Sequence, residues 1–81
     1  YSDYFDSTDT EIIELNRLLF KAKEFLVKKF NPSGFNIGVN CGKVSGQTVN
    51  HMHIHIIPRY PNDVDDPTGG VRGVIPNKQK Y

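Results

Sequence analysis

Between Ser7 and Phe30 the apolar positions recur with a helical period. Ile12, Leu15, Leu19, Ala22 and Leu26 follow one another at spacings of 3, 4, 3 and 4, and Leu18 and Phe25 widen the stripe. That pattern predicts one long amphipathic helix. Thr8 and Glu11 stand at capping-box spacing, which places the helix start near Asp9. Asp9, Glu11 and Glu14 crowd that end and Lys28 and Lys29 the other, the charge order that complements the helix dipole.

Asn31-Pro32-Ser33-Gly34 stops the helix, because proline has no amide hydrogen and disfavours helical geometry in the residue before it. The pattern then changes from a period of 3.6 to a period of two. In Phe-Asn-Ile-Gly-Val-Asn, Phe35, Ile37 and Val39 alternate with Asn36, Gly38 and Asn40, as in a half-buried strand. After the glycine-containing loop Cys41–Gln47, a second strand is expected from about Thr48 to Ile57, ending at Pro58. Two strands joined by such a loop favour an antiparallel hairpin. A helix covering one face of that hairpin gives an α+β fold, with residues 1–81 as a single domain. Tyr60–Gly70 holds two prolines, two glycines and three aspartates without periodicity and reads as loop, and the segment after it as an extended tail.

Size and charge narrow the picture. A domain of 81 residues buries only about 60–65 % of the surface its unfolded chain exposes, so it gains from a partner or another staple. A disulfide within the chain is excluded by the single cysteine, Cys41, and a lone thiol suits a reducing, cytoplasmic compartment. Ten Lys and Arg against nine Asp and Glu leave a net charge of +1, which argues against a general nucleic-acid surface. No apolar run approaches the roughly 20 residues that span a bilayer, so no membrane association is expected.

All three histidines lie in Val49–Arg59, at every second position: His51, His53 and His55, with Met52, Ile54 and Ile56 between and after them. In a strand the imidazoles then share one face with Val49 and Ile57, and the other face is the natural core face. Three readings compete for the row. A merely polar strand face is one, although strict alternation in a chain with no other histidine is poorly explained by chance. Metal binding is the second. The outer two histidines lie roughly 13 Å apart along an extended strand, too far to chelate one ion, and a two-histidine site would need donors from Cys41 or the aspartates at 63–66. The third is chemistry on phosphate, for which imidazole serves as nucleophile, proton carrier or anion binder near neutral pH. The loop Gly-Lys-Val-Ser-Gly-Gln-Thr offers backbone amides and hydroxyls beside the row.

His-Met-His-Ile-His-Ile-Ile resembles the His-φ-His-φ-His-φ-φ motif, with φ apolar, of the histidine triad family of nucleotide hydrolases and transferases. Gly-Gln-Thr-Val-Asn before it, Pro-Arg after it and Phe-Asn-Ile-Gly-Val-Asn-Cys-Gly upstream are also similar to that family. The C-terminal Gly-Gly-Val-Arg-Gly-Val-Ile-Pro-Asn-Lys-Gln-Lys-Tyr resembles its bacterial branch of diadenosine tetraphosphate hydrolase-like proteins. The resemblance implies two-step nucleotidyl transfer. His53 would attack the α-phosphate of a nucleoside polyphosphate or phosphoramidate, forming a covalent nucleotidyl-histidine that water or another acceptor resolves. His55 would contact the α-phosphate or bridging oxygen, and His51 would position the nucleophile. Asn40, Gly46, Gln47 and Thr48 match the phosphate-contacting positions; a nucleotide-binding module without turnover is the alternative. The resemblance further implies a homodimer through the long helix and strand 35–40, with no cofactor and no metal in this part of the domain. It also implies that upstream strands carrying most of the base and ribose pocket precede Tyr1.

Overall fold

A computed structural model of the chain describes residues 3–48 and 51–79. It has one helix and one two-stranded antiparallel sheet, an α+β arrangement. Helix α1 spans Asp9–Phe30, strand β1 Gly34–Val39 and strand β2 Ile54–Arg59. Among the described residues no helix is long and apolar enough to cross a membrane.

The signals at both ends of α1 act as the sequence predicts. The Thr8 hydroxyl accepts from Glu11 N–H at 3.2 Å, and the Glu11 carboxylate accepts from Thr8 N–H at 2.8 Å. Two donors that the first turn would leave orphaned are thereby satisfied. At the other end Asn31 takes a left-handed conformation, φ 47°, and its N–H donates to Val27 O at 3.0 Å. Pro32 and Ser33 then carry the chain into β1, where Ser33 N–H donates to Arg59 O at 2.9 Å.

The register pairs Phe35 with Pro58, Ile37 with Ile56 and Val39 with Ile54 on one face. Asn36 with Ile57 and Gly38 with His55 occupy the other. Helix α1 packs on β2, and the half-buried positions are Ile12, Leu15, Leu19, Ala22 and Leu26 against Met52, Ile54 and Ile56. Among the described residues no apolar side chain is fully buried.

Four expectations need correction. Leu18 and Phe25 do not widen the covered stripe; both are exposed. They sit about 80–100° around the helix from its centre, and two strands about 4.8 Å apart cover only a narrow strip. Ile37 points to the helix side yet remains 51 % exposed, because α1 packs on β2 more than on β1. The second strand starts at Ile54 rather than Thr48, since β1 ends opposite it at Val39 and offers no partner to earlier residues. It also runs through Pro58, which costs a ladder donor but is tolerated where a strand has an unpaired edge. Val49 and Asn50, placed in that strand by the sequence, lie outside the described residues. The C-terminal segment is not extended: it forms two short 3-10 turns, Gly70–Val74 and Pro76–Lys78. Gly69 (φ 94°) initiates the bend, and Arg72 Nε donates to Lys78 O at 3.0 Å across it. The expected loop from Tyr60 holds no strand and no helix up to Gly69.

Beyond β2, Arg59 grips Asp63 through two hydrogen bonds, Nε to Oδ2 at 2.8 Å and Nη2 to Oδ1 at 2.9 Å. Its Nη1 also donates to Asn36 Oδ1 on the neighbouring strand. Asp63 further accepts from Tyr60 N–H at 3.0 Å. The Arg59 guanidinium first, and the Tyr60 amide second, hold the Asp63 carboxyl well below the usual carboxylate range.

Two outcomes are expected from this architecture. Thr8→Ala lowers stability by about 1 kcal/mol in urea unfolding, the typical loss for an N-cap oxygen. The folded-state pKa of Asp63 is depressed, so its contribution is complete above the unfolded carboxyl value of about 4 and is lost as pH falls below it. Asp63→Asn therefore shows a shallower loss of stability than the parent chain below about pH 4, measured by unfolding midpoints across pH.

Candidate active site

The site is built where β1 ends and β2 begins. After Val39 the chain leaves the sheet at Asn40, and a 3-10 turn over Lys43–Ser45 reverses it. Gly42 N–H donates to Gln47 Oε1 at 2.8 Å, and Gln47 N–H returns to Gly42 O at 3.3 Å. That reciprocal pair closes the loop into a ring. Ser45 Oγ adds contacts to Cys41 O at 2.8 Å and Gly42 O at 2.7 Å. Gln47 is only 6 % exposed, the one buried polar residue among the described residues. Gly46 leaves the turn at φ 99°, a left-handed conformation that a residue with a Cβ resists.

Each face of the following segment is decided by the two-residue period. Met52, Ile54 and Ile56 turn towards α1, with Met52 Sδ 3.9 Å from Ser7 Oγ, while His51, His53 and His55 are exposed on the opposite side. The alternation begins before the ladder does: only His55 lies in β2. The rings of His51 and His53 are 5.3 Å apart between centroids, inclined at 45°. His55 stands directly across from Gly38, where a Cβ would meet nothing within 4 Å.

Asn40, Gly46, Gln47, Thr48, His51, His53 and His55 line one cleft of about 260 Å³. The structure thus brings together every residue that the sequence singled out for the site. None of the lining residues is Lys or Arg, so an anion there would be held by imidazoles, neutral side-chain donors and backbone amides. Of the basic residues near the motif, Arg59 is committed to Asp63 and Asn36, and Arg72 to the C-terminal turn. Lys43 is exposed on the loop and does not line the cleft. The cleft offers a row of potential nucleophiles and proton carriers facing polar donors, an arrangement suited to an anionic, electrophilic centre such as phosphorus.

Reading the sequence missed two features. The Asn36–Arg59–Asp63 network joins residues far apart in the chain, and Gly38 becomes notable only through its register with His55. Alternation along β1 and β2 could have suggested the second, had the pairing been known.

Comparison with known proteins bears on what this cleft belongs to. The HIT domain family model matches residues 1–62. An uncharacterized HIT-like protein of Methanocaldococcus jannaschii is 43 % identical over 63 residues, 78 % of this chain and 48 % of that protein. Bis(5'-nucleosyl)-tetraphosphatase (asymmetrical) of Schizosaccharomyces pombe is 39 % identical over 75 % of this chain and 34 % of its own length. An AP-4-A phosphorylase of Mycobacterium tuberculosis is 37 % identical over 93 % of this chain and 40 % of its own. The crystal structure of a HIT family protein from Bacillus anthracis superposes with a TM-score of 0.69 at 39 % identity, over 78 % of this chain and 45 % of that one. The chain therefore spans half or less of the length of these relatives.

Gly46→Ala is expected to cost about 1–2 kcal/mol in urea unfolding because of its backbone conformation. Gly38→Ala, with open space around its Cβ and a strand backbone, costs nothing or gains about 0.5 kcal/mol in the same assay.

Proposed function

The chain belongs to the HIT domain family, and from that premise we propose that it carries the chemical centre of a nucleotide hydrolase or nucleotidyl transferase. The observation that supports this most directly is the convergence of the three histidines with Asn40, Gly46, Gln47 and Thr48 on one cleft. The names of the relatives, which act on dinucleoside polyphosphates, supply the substrate class. Residues 1–81 act here as one domain.

In the first step a ring nitrogen of His53 attacks the α-phosphorus of a nucleoside polyphosphate or phosphoramidate. A P–N bond to the imidazole forms and the bond to the leaving group breaks; the leaving group takes the electron pair. His55 contacts the α-phosphate or the departing atom and supplies a proton to it. In the second step water attacks the same phosphorus and releases the nucleoside monophosphate, and the imidazole recovers its electron pair. His51, 5.3 Å from His53 between ring centroids, limits how that ring turns. Thr48 and Asn40 offer neutral donors to phosphate oxygens, and Gly46 permits close approach of backbone. Gln47 holds the loop through Oε1, so any contact it makes to phosphate is through its amide nitrogen.

The same proposal takes the protein to be a homodimer. A second apolar stripe on α1, Ile13, Phe20 and Val27, faces away from the sheet, and Phe20 is 70 % exposed. The edge of β1 that pairs with no strand among the described residues is a second place for self-pairing. A lone, unpaired thiol, Cys41, accords with a cytoplasmic setting.

In the full-length protein His53→Ala is expected to lower turnover of a dinucleoside polyphosphate or of adenosine 5'-phosphoramidate by about a thousandfold or more, as removal of other covalent nucleophiles does. Turnover equal to the parent's in an initial-rate assay would remove His53 from this role.

A further inference from the structure

One error of strand pairing escapes the hydrophobic pattern. Side chains alternate with a period of two, so a slip of β2 by two residues preserves both faces of the sheet. With each β1 residue facing the β2 residue two places earlier in the chain, Phe35 would meet Ile56, Ile37 would meet Ile54 and Val39 would meet Met52, all apolar. Pro58, which has no donor to give the ladder, would lose its strand partner, and the connection between the strands would shorten from residues 40–53 to residues 40–51. Neither alternation nor the backbone ladder favours the observed register over this one.

The histidine face separates the two. There β1 presents Gly34, Asn36 and Gly38, so Asn36 is its one side chain beyond a hydrogen. Arg59 lies on the same face, two residues past Ile57, the partner of Asn36, and its Nη1 donates to Asn36 Oδ1. Such a diagonal spans about 7–8 Å across an antiparallel pair, within reach of a long side chain. Asp63 takes Nε and Nη2, and Tyr60 N–H holds Asp63 in turn, so the guanidinium is fixed with its remaining nitrogen towards β1. In the slipped pairing Arg59 would stand four residues past the partner of Asn36, roughly 13 Å along the strand, and the bond could not form.

We propose that Arg59 and Asn36 are positioning residues for the histidine row, and that their bond selects the register that seats His53 against the loop Asn40–Thr48. The inference rests on the reading of His53 as nucleophile. Asn40 directly follows β1, whereas the histidines belong to β2 and the segment leading into it. A two-residue slip moves the row by roughly 6.6 Å relative to Asn40 and sets His53 opposite Gly38, the place that His55 holds. The imidazoles keep their face and lose their order against the loop.

In the full-length protein the register is read from nuclear Overhauser contacts between β1 and β2, and the chemistry from initial rates with adenosine 5'-phosphoramidate. Asn36→Val removes the acceptor but introduces a strong strand former, so its urea midpoint is expected to equal or exceed the parent's. It is nevertheless expected to show a second set of contacts, Ile37 with Ile54 and Val39 with Met52, and to lose about tenfold or more in kcat/KM, the order of removing a hydrogen bond to a charged group. Arg59→Met, which keeps an unbranched stem without donors, is expected to show the same second set and a similar loss. Asn36→Asp retains an acceptor oxygen for Arg59 and is expected to keep the single observed register and the parent's kcat/KM. Asn36→Val and Arg59→Met lie on different strands, so if one fails to fold the other decides. A single register in the folded variants, or a second register with unchanged kcat/KM, overturns the positioning role, and turnover by the parent then leaves the nucleophile reading intact. A parent without turnover overturns the nucleophile reading and the positioning role with it.

Discussion

The register of β1 against β2 is the constraint on which the rest depends. With Ile56 opposite Ile37 and His55 opposite Gly38, the two-residue period sends Met52, Ile54 and Ile56 to α1 and His51, His53 and His55 to the cleft. A slip of one residue would exchange the faces, burying imidazoles against Leu15, Leu19 and Leu26 and presenting Met52, Ile54 and Ile56 to water. Packing against the helix and placement of the chemistry are therefore one decision. The Arg59–Asn36 hydrogen bond ties the strands together at the far end from the cleft, and the Arg59–Asp63 pair braces the turn that follows.

The loop between the strands converts that register into a site. The Gly42–Gln47 ring holds Asn40 on one side and Gly46 and Thr48 on the other, so residues from both ends of the connection reach the same cleft as the histidines. Burying Gln47 is consistent with this role, since its side-chain oxygen has a backbone donor and burial carries no unmet hydrogen bond.

The packing is thin for a helix of this length. Apolar side chains of α1 outside the covered stripe and the edge of β1 that pairs with no strand among the described residues leave surface that a globular protein ordinarily covers. The chain matches 48 % and 34 % of the length of two of these relatives, and the uncovered faces are distributed around both α1 and the sheet.

Much of this protein was legible in its sequence. The extent of α1, its capping box, the antiparallel hairpin and the side of the sheet taken by His51, His53 and His55 follow from local rules: helical and strand periods, the hydrogen-bonding of Thr8 and Glu11, and the backbone demands of Pro32; Asn40, Gly46, Gln47 and Thr48 were singled out by the resemblance to the histidine triad motif. Such rules act over a few residues and leave their mark in spacing. What tertiary structure alone decided concerns partners distant in the chain. Where β2 begins depends on where β1 ends; whether Leu18, Phe25 and Ile37 are covered depends on how narrow the sheet is and where the helix lies on it. The pairing of Arg59 with Asn36 and the turns of the C-terminal segment arise the same way. Each is set by which surfaces meet, and periodicity along one chain contains no information about the distance between two segments that it does not itself connect.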